Sequence, residues 1–391
     1  MKKINIKNIL LFFIITVVFL SCDEDIIKPN SMRFTLKIEV IDTSIFTKTL
    51  SGDSLVSNAN VYINSISYSE QKESLTDSNG IAIFENILPD NYSITISKNI
   101  SEEEGMQVNG NFVRWVLSNQ IQDTMLFDNT DKEILIKTIL KLSKPGSLIF
   151  SEIYYNGSRA DPVPYYFHDQ FTELYNNSSD TIYLDSLMIT DVNYGYRDED
   201  VIHAIHAYMF PGDGKTYPVG PGEYVIVAQD AINHSEINHG SVDLHNADFE
   251  YYAKDHSDVD NPDVVNMIQI QHKYGVDFLY SVMNDAIVLM KVENPYSLGY
   301  DTYDCLLLPK SGVIDGVEYR EKLSEMDHKR LDATIDGGIT GGLQMYQGKT
   351  IERKLDRFED NRAILMDNNN SSIDFQVLDT ATIGYNYDAN K

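Results

Sequence analysis

Cysteine is nearly absent from this chain: two residues in 391, too few for the disulfide framework of a small secreted scaffold. Basic side chains are scarce as well. Lys and Arg number 31 against 59 Asp and Glu, a formal charge of −28, which excludes the phosphate-neutralising surface that a nucleic-acid partner requires. Apolar runs are short, the longest being Ile9 to Leu20, below the ~20 residues that span a bilayer as a permanent helix. Enzyme signatures are missing too: no GxSxG elbow, no phosphate loop and no GxGxxG turn. What is present is 42% hydrophobic and 11% aromatic residues, 25 of them Tyr, in a length suited to two or three globular domains.

Lys2, Lys3 and Lys7 precede the apolar run, and Ser21-Cys22 follows it at once, giving a basic n-region, an h-region and a small residue before a cysteine. Phe19-Leu20-Ser21-Cys22 resembles a bacterial lipoprotein processing box, with Phe19 where Leu is usual. The resemblance implies that residues 1–21 are a removed signal peptide. Cys22 becomes the acylated N-terminus, carrying palmitate-type chains, and residues 22–31 form a tether. Two or more chains anchor stably, since each buried methylene contributes about 0.8 kcal/mol. Processing removes three Lys and no acid, leaving 28 basic and 59 acidic side chains, a formal charge of −31. Asp23-Glu24-Asp25 resembles the export signal of Bacteroidota surface lipoproteins. That implies an outer-membrane, lipid-anchored protein facing the cell exterior.

Residues 32–40 alternate apolar and polar at period two, as a half-buried strand does, and 59–63, 81–84, 92–96 and 134–142 read likewise. Asp77-Ser78-Asn79-Gly80 and Pro89-Asp90-Asn91 supply turns. Residues 101–130 interrupt the pattern, and Phe112, Trp115 and Val116 read as core rather than a carbohydrate platform. The strings Ala59-Asn60-Val61, Thr76 to Gly80 and Leu88 to Tyr92 resemble the prealbumin-like modules of carboxypeptidase regulatory domains, implying a β-sandwich over 32–142. Ser143 to Gly146 then marks a boundary.

Beyond it, Ser151-Glu152-Ile153-Tyr154-Tyr155-Asn156-Gly157, Phe171-Thr172-Glu173-Leu174-Tyr175-Asn176-Asn177 and Ile182 to Asp185 resemble the opening of a lamin-tail domain. Val219 to Val227 resembles its central glycine-turned hairpin, and Asn284 to Leu289, Ile314 to Tyr319 and Asp367 to Phe375 its later segments. The expected fold class is therefore all-β: two β-sandwich modules, the second immunoglobulin-like over 147–391, with insertions near 185–215 and 230–280. The layout resembles an uncharacterised family of Bacteroidota surface lipoproteins, and resemblance of fold does not assign activity.

Several groups invite a chemical reading. Glu152 and Glu173 lie inside apolar strands, and a facing pair of acids serves glycosidases; sequence separation leaves their proximity open, and the lamin-tail resemblance implies a structural acid at Glu173. All nine His follow residue 167. His203 and His206 are three apart, while His234, His239 and His245 cluster with Glu236, Asp243 and Asp248, ahead of His256 and Asp258, a set of donor types that suits Zn²⁺. Their irregular spacing favours solvent and local hydrogen bonds, and no metal ligand is assigned. Asp255-His256-Ser257-Asp258 has the letters of a serine triad without the geometry. Asp258 to Asp263 lacks the calcium-loop spacing. Gly337 to Gly342 reads as a flexible connection and residues 319–331 as a short solvated helix.

The expectation is a non-catalytic, surface-exposed lipoprotein acting as an interaction module, for instance accessory to an outer-membrane transporter, with no catalytic residue or cofactor. One alternative is a substrate-binding protein for glycan, peptide or metal uptake, with Tyr154, Tyr155, Tyr165, Tyr166, Tyr251 and Tyr252 as aromatic surfaces. The other is a hydrolase with its site in 185–280.

Overall fold

The computed structural model describes residues 33–391 except 69, 111–113, 127–131, 145, 195–199, 326–327, 360, 385–386 and 388–391. Cys22, the signal segment 1–21, the tether 22–31 and Phe112 lie outside the described residues. The protein is predominantly β-strand, in several sheets. Among the described residues no helix is long and apolar enough to cross a membrane.

The first sheet contains β1 (Phe34–Asp42), β2 (Asn60–Ser65), β3 (Gln71–Leu75), β4 (Ile81–Ile87), β5 (Asp90–Ile100), β6 (Trp115–Leu126) and β7 (Glu133–Ser143). Their order is β3-β2-β5-β6-β7-β1-β4. The β1–β7 pair is parallel and the other pairs are antiparallel. Period-two alternation does what the sequence predicts: Phe34, Leu36, Ile38 and Val40 are buried while their neighbours are half-exposed. The sheet curls until its edges approach, Lys72 Nζ of β3 donating to the Glu85 carbonyl of β4 at 3.4 Å, so that it is a nearly closed barrel.

Two short helices, α1 (Ile45–Ser51) and α2 (Glu102–Asn109), adjoin the sheet. α2 begins in a capping box: Ser101 Oγ accepts from Glu104 N at 3.2 Å, and Glu104 Oε2 accepts from Ser101 N at 2.8 Å. Within the expected interruption over 101–130, α2 occupies Glu102–Asn109 and β6 runs Trp115–Leu126, paired with β5 along most of its length. Trp115 is partly buried, 5.4 Å from the Phe46 ring, with Lys144 Nζ 4.6 Å above its face.

The rest of the chain supplies β8 (Leu148–Tyr154), β9 (Phe171–Asn176), β10 (Ile182–Tyr183), β11 (Leu187–Val192), β12 (Val201–Met209), β13 (Pro218–Val219) and β14 (Tyr224–Ala228). After these come β15 (Phe249–Glu250), β16 (Val265–Asn266), β17 (Ile268–His272), β18 (Asn284–Lys291), β19 (Leu306–Pro309) and β20 (Val313–Arg320). The last are β21 (Thr340–Gly341), β22 (Thr350–Arg353), β23 (Leu355–Glu359), β24 (Arg362–Leu365) and β25 (Phe375–Leu378).

One seven-stranded sheet runs β16-β15-β14-β9-β8-β22-β25, the other β17-β12-β11-β18-β20-β21 with β19 also on β12. They share a core: Phe150, Leu174 and Val227 from the first meet Ile189, Tyr208 and Leu289 from the second. Residues 185–215 supply β11 and β12, interior strands of the second sheet. The expected hairpin at 219–227 is not one, since β13 pairs with β10 and β14 with β9.

The segment 321–331 forms no α-helix among its described residues. Glu318 organises it instead: its buried carboxylate accepts from the backbone N–H groups of Arg330 and Leu331, the shortest at 2.8 Å, and pairs with Arg320 and Lys329. Those bonds hold the chain in turns. Nor is the glycine segment loose. Gly338 N donates to Asp336 Oδ1, and an added Cβ there would stand 2.5 Å from Ser372 N, so the backbone packs where only glycine fits.

The first sheet docks on the remainder through polar contacts. Thr95 Oγ1 donates to the Gly337 carbonyl at 3.0 Å, Ser118 Oγ to the Ala333 carbonyl at 2.8 Å, and Asn369 Nδ2 to Ser143 Oγ at 2.7 Å.

Candidate functional site

Two places stand out, one a groove and one a cluster of acids and imidazole. The groove, about 580 Å³, lies along the seam between the first sheet and the remainder. Tyr62, Gln71 and Thr95 line one side, and Leu323, Phe375 and Gln376 the other. Volume and mixed lining are those of a small-ligand or peptide site.

The cluster sits where β9 and β14 leave their sheet. Phe171 pairs with Ala228, and the ladder continues one step further, with Gln229 N donating to the Gln170 carbonyl at 3.0 Å. His168 and Asp230, just beyond on the two strands, are therefore brought side by side. Gln170 also captures a third segment: its Nε2 donates to the carbonyls of Tyr155 and Tyr280, and its Oε1 accepts from Tyr280 N at 2.7 Å. That clamp carries Asp277 to the same spot. His168 Nδ1 lies 2.7 Å from Asp277 Oδ2 and 3.6 Å from Asp230 Oδ2. Both carboxylates are buried, and His168 is 38% exposed, which leaves the cluster open on that side.

Hydrogen bonds to Asp230 and Asp277 outweigh desolvation and push the His168 imidazole up to about 10, so at neutral pH it is an imidazolium between two acids. Asp258 stands beside Asp277; its oxygens accept from Ala253 N at 2.6 Å and Val259 N at 2.9 Å. Burial, together with the charges of Asp277 and Asp230, raises its carboxyl to about 7.

The histidines singled out from the sequence do not converge. His234 is buried, its Nε2 bonded to the Asp230 carbonyl at 2.8 Å and its Nδ1 to Tyr166 OH at 2.6 Å. A carbonyl only accepts, so Nε2 carries the proton and Tyr166 donates to Nδ1; burial accordingly depresses this imidazole. Both nitrogens are occupied. His239 and His245 are exposed, beside Asp161 and Asp243 respectively. His203 pairs with Asp301 and His206 with Asp191, each at less than 3 Å but at separate places. Glu236, Asp243 and Asp248 join no multi-ligand group with them among the described residues. His256 packs edge-on against His272, and Asp258 faces Asp277 rather than a Ser257–His256 pair. In the 258–263 loop, Asp260 accepts from Asn266 and Asn261 N donates to Glu250.

Of the six tyrosines offered as binding surfaces, Tyr154, Tyr155, Tyr166 and Tyr251 are buried core, Tyr252 is half-buried and Tyr165 is exposed. Glu152 and Glu173 are direct register partners on β8 and β9, and Glu352 on β22 faces Glu152 from the other side. The row is covered by the C-terminal segment. Thr382 N and Oγ1 donate to Glu152, and Gly384 N donates to Glu173 Oε2 at 2.6 Å.

His168, Asp230 and Asp277 escaped the sequence reading. They are far apart in the chain, and only a strand register plus a glutamine clamp joins them. The one local signal is the aromatic run Tyr165-Tyr166-Phe167 ahead of His168, which marks a packed loop.

Residues 220–382 match the family model described as "Protein of unknown function (DUF4876)". Among solved structures the chain is similar to a DUF4876 family protein from Bacteroides thetaiotaomicron at 24% identity, over 88% of this chain and 94% of that one, with a TM-score of 0.56; that likeness is one of fold. The full-length major pilin SpaD from Corynebacterium diphtheriae matches at 11% identity over 44% of each chain with a TM-score of 0.18, too low to support any argument. No curated protein matches. Residues 220–382 are thus similar to the DUF4876 family, and the chain shares the fold of the Bacteroides thetaiotaomicron protein.

Proposed function

We propose that the protein is a lipid-anchored, outward-facing, non-catalytic binding module of the outer membrane, which engages another surface component, such as a transporter, through the seam groove. In this reading the first sheet is the prealbumin-like sandwich, and the paired seven-stranded sheets are the immunoglobulin-like, lamin-tail-like one. Support for the anchor comes from the basic-apolar-cysteine order ending at Cys22. The observation that carries the binding reading is the groove itself, whose aromatic, amide and hydroxyl lining suits polar chain-like ligands.

The experiment is quantitative cross-linked capture from intact cells, comparing the parent with a Tyr62→Ala, Gln376→Ala double variant. A reproducible membrane or surface partner recovered by the parent and reduced at least several-fold in the variant is expected. No partner recovered despite abundant, correctly exposed protein counts against the reading.

A second reading, small-ligand uptake, is favoured by the groove volume, which accommodates an oligosaccharide or short peptide. A ligand panel measured on the purified protein separates the two.

A further inference from the structure

We propose that His168, Asp230 and Asp277, with Asp258 at the rim, form a site for one divalent first-row transition-metal ion of the Zn²⁺ or Mn²⁺ type. This rests on geometry apart from the groove, with which it shares no lining residue. One ligand atom each from His168, Asp230 and Asp277 lies within 4.8 Å of the others, the single such group among the described residues. Around a tetrahedral ion with bonds of about 2.0 to 2.2 Å, donor atoms stand about 3.4 Å apart. The observed 2.7 and 3.6 Å from His168 Nδ1 bracket that value.

A second observation points to a ligand. Asp230 is 3% exposed, and its Oδ1 is buried with no hydrogen-bond partner, although its Oδ2 faces His168. Both side-chain polar atoms of its neighbour Gln229 are in the same state. Buried polar atoms left unpaired usually mark an ion or an ordered water. Among the described residues no Lys or Arg pairs with Asp230, Asp277 or Asp258, whereas the buried acids Glu318, Asp285 and Asp315 each have at least one.

The donor set selects the class of ion. One imidazole nitrogen with two or three carboxylate oxygens suits Zn²⁺ or Mn²⁺; Ca²⁺ and Mg²⁺ take oxygen ligands only. His168 gives up its Nδ1 proton to solvent as the ion takes its place.

The test is calorimetric titration of chelator-treated, full mature chain with ZnCl₂, MnCl₂ and CaCl₂. It is repeated on Asp277→Asn, on His168→Gln, and on a His239→Ala, His245→Ala control. One equivalent of Zn²⁺ or Mn²⁺ is expected in the parent and the control, with affinity lowered at least tenfold in Asp277→Asn and in His168→Gln. If Asp277→Asn does not fold, His168→Gln, which keeps every carboxylate, decides alone. Site variants that bind as tightly as the parent would overturn the proposal. So would binding lost in the control, binding of Ca²⁺ alone, or equal weak uptake of all three ions by every protein through the diffuse negative field.

Discussion

Changing Glu152 and Glu173 together to glutamine tests how this acidic protein tolerates carboxylates in its interior. The two sit opposite each other on β8 and β9, both buried, under the segment that contributes Thr382 and Gly384. Burial pushes Glu152 up to about 7 and Glu173 to about 8. Hydrogen bonds from Thr382, and from Ser151 and Gly384, oppose that shift only in part, and repulsion between the acids reinforces it. In the unfolded chain both titrate near the usual value of about 4.3. Between these limits the native state holds protons that the unfolded state has released. Stability is therefore fully present below about pH 4 and declines as pH rises towards 7 and 8. At about 1.4 kcal/mol per unit, the separate losses are roughly 4 kcal/mol for Glu152 and 5 for Glu173, and together less than their sum because they share one repulsion.

Glutamine cannot ionise, but it offers one acceptor where Ser151 and Gly384, or the two donors of Thr382, seek two; that costs about 1 kcal/mol for each lost bond. The double variant should thus be less stable than the parent at pH 5 and more stable at pH 8.5. The urea midpoints should cross between. Glu250 and Asp315, both raised to about 7 by burial, tilt the parent curve in the same direction, so the difference between the two proteins is the quantity to read. Parallel curves from pH 5 to 8.5 would refute the reasoning.

Arg353→Met should destabilise the protein by about 3 to 5 kcal/mol in urea denaturation, because Arg353 pairs with Asp315, Asp367 and Asp374 in a site with almost no solvent. A loss below 1 kcal/mol would mean that those acids take up protons at no cost. Cys22→Ala should abolish acyl labelling and release the protein from the membrane fraction; unchanged labelling and retention would sink the anchor, and protease accessibility on intact cells tests outward exposure separately.

Much of the strand framework was legible because a half-buried strand writes its burial into period two, as at Phe34 to Val40. β6 was not legible, and its position explains why. Ser118, Asn119 and Gln120 lie mid-strand, where Ser118 is buried against the Ala333 carbonyl and Asn119 bonds Thr138, so polar residues occupy buried or half-buried places that alternation assigns to apolar ones. Residues 321–331 failed for a different reason. Their pattern fits a short amphipathic helix, but Glu318 offers the backbone N–H groups of Arg330 and Leu331 a buried anion, and a charge-assisted bond outweighs weak helix propensity. At the candidate site the chemistry-bearing types were visible and the partners were not. His234 stood among the donor types that suit Zn²⁺ with no ligand assigned, and both its nitrogens are bonded, while the register of β9 and β14 sets His168 beside Asp230.

This acidic chain buries many carboxylates, and three of their arrangements contrast. Glu318 and Asp315 are met by Arg and Lys, which fixes the loops those cations come from. Glu152 and Glu173 are met by protons, and by donors from the C-terminal segment. Among the described residues Asp230 and Asp277 share the His168 imidazole as their ion-pair partner, Asp277 also bonds Asp258, and one oxygen of Asp230 is left unpaired in the interior. The first two arrangements are complete: each acid has either a permanent cation or a carboxyl proton. The third relies on a base that solvent can reach and a stronger Lewis acid can displace. That difference in completeness, more than the number of acids, separates a structural cluster from one poised to exchange a proton for a metal ion.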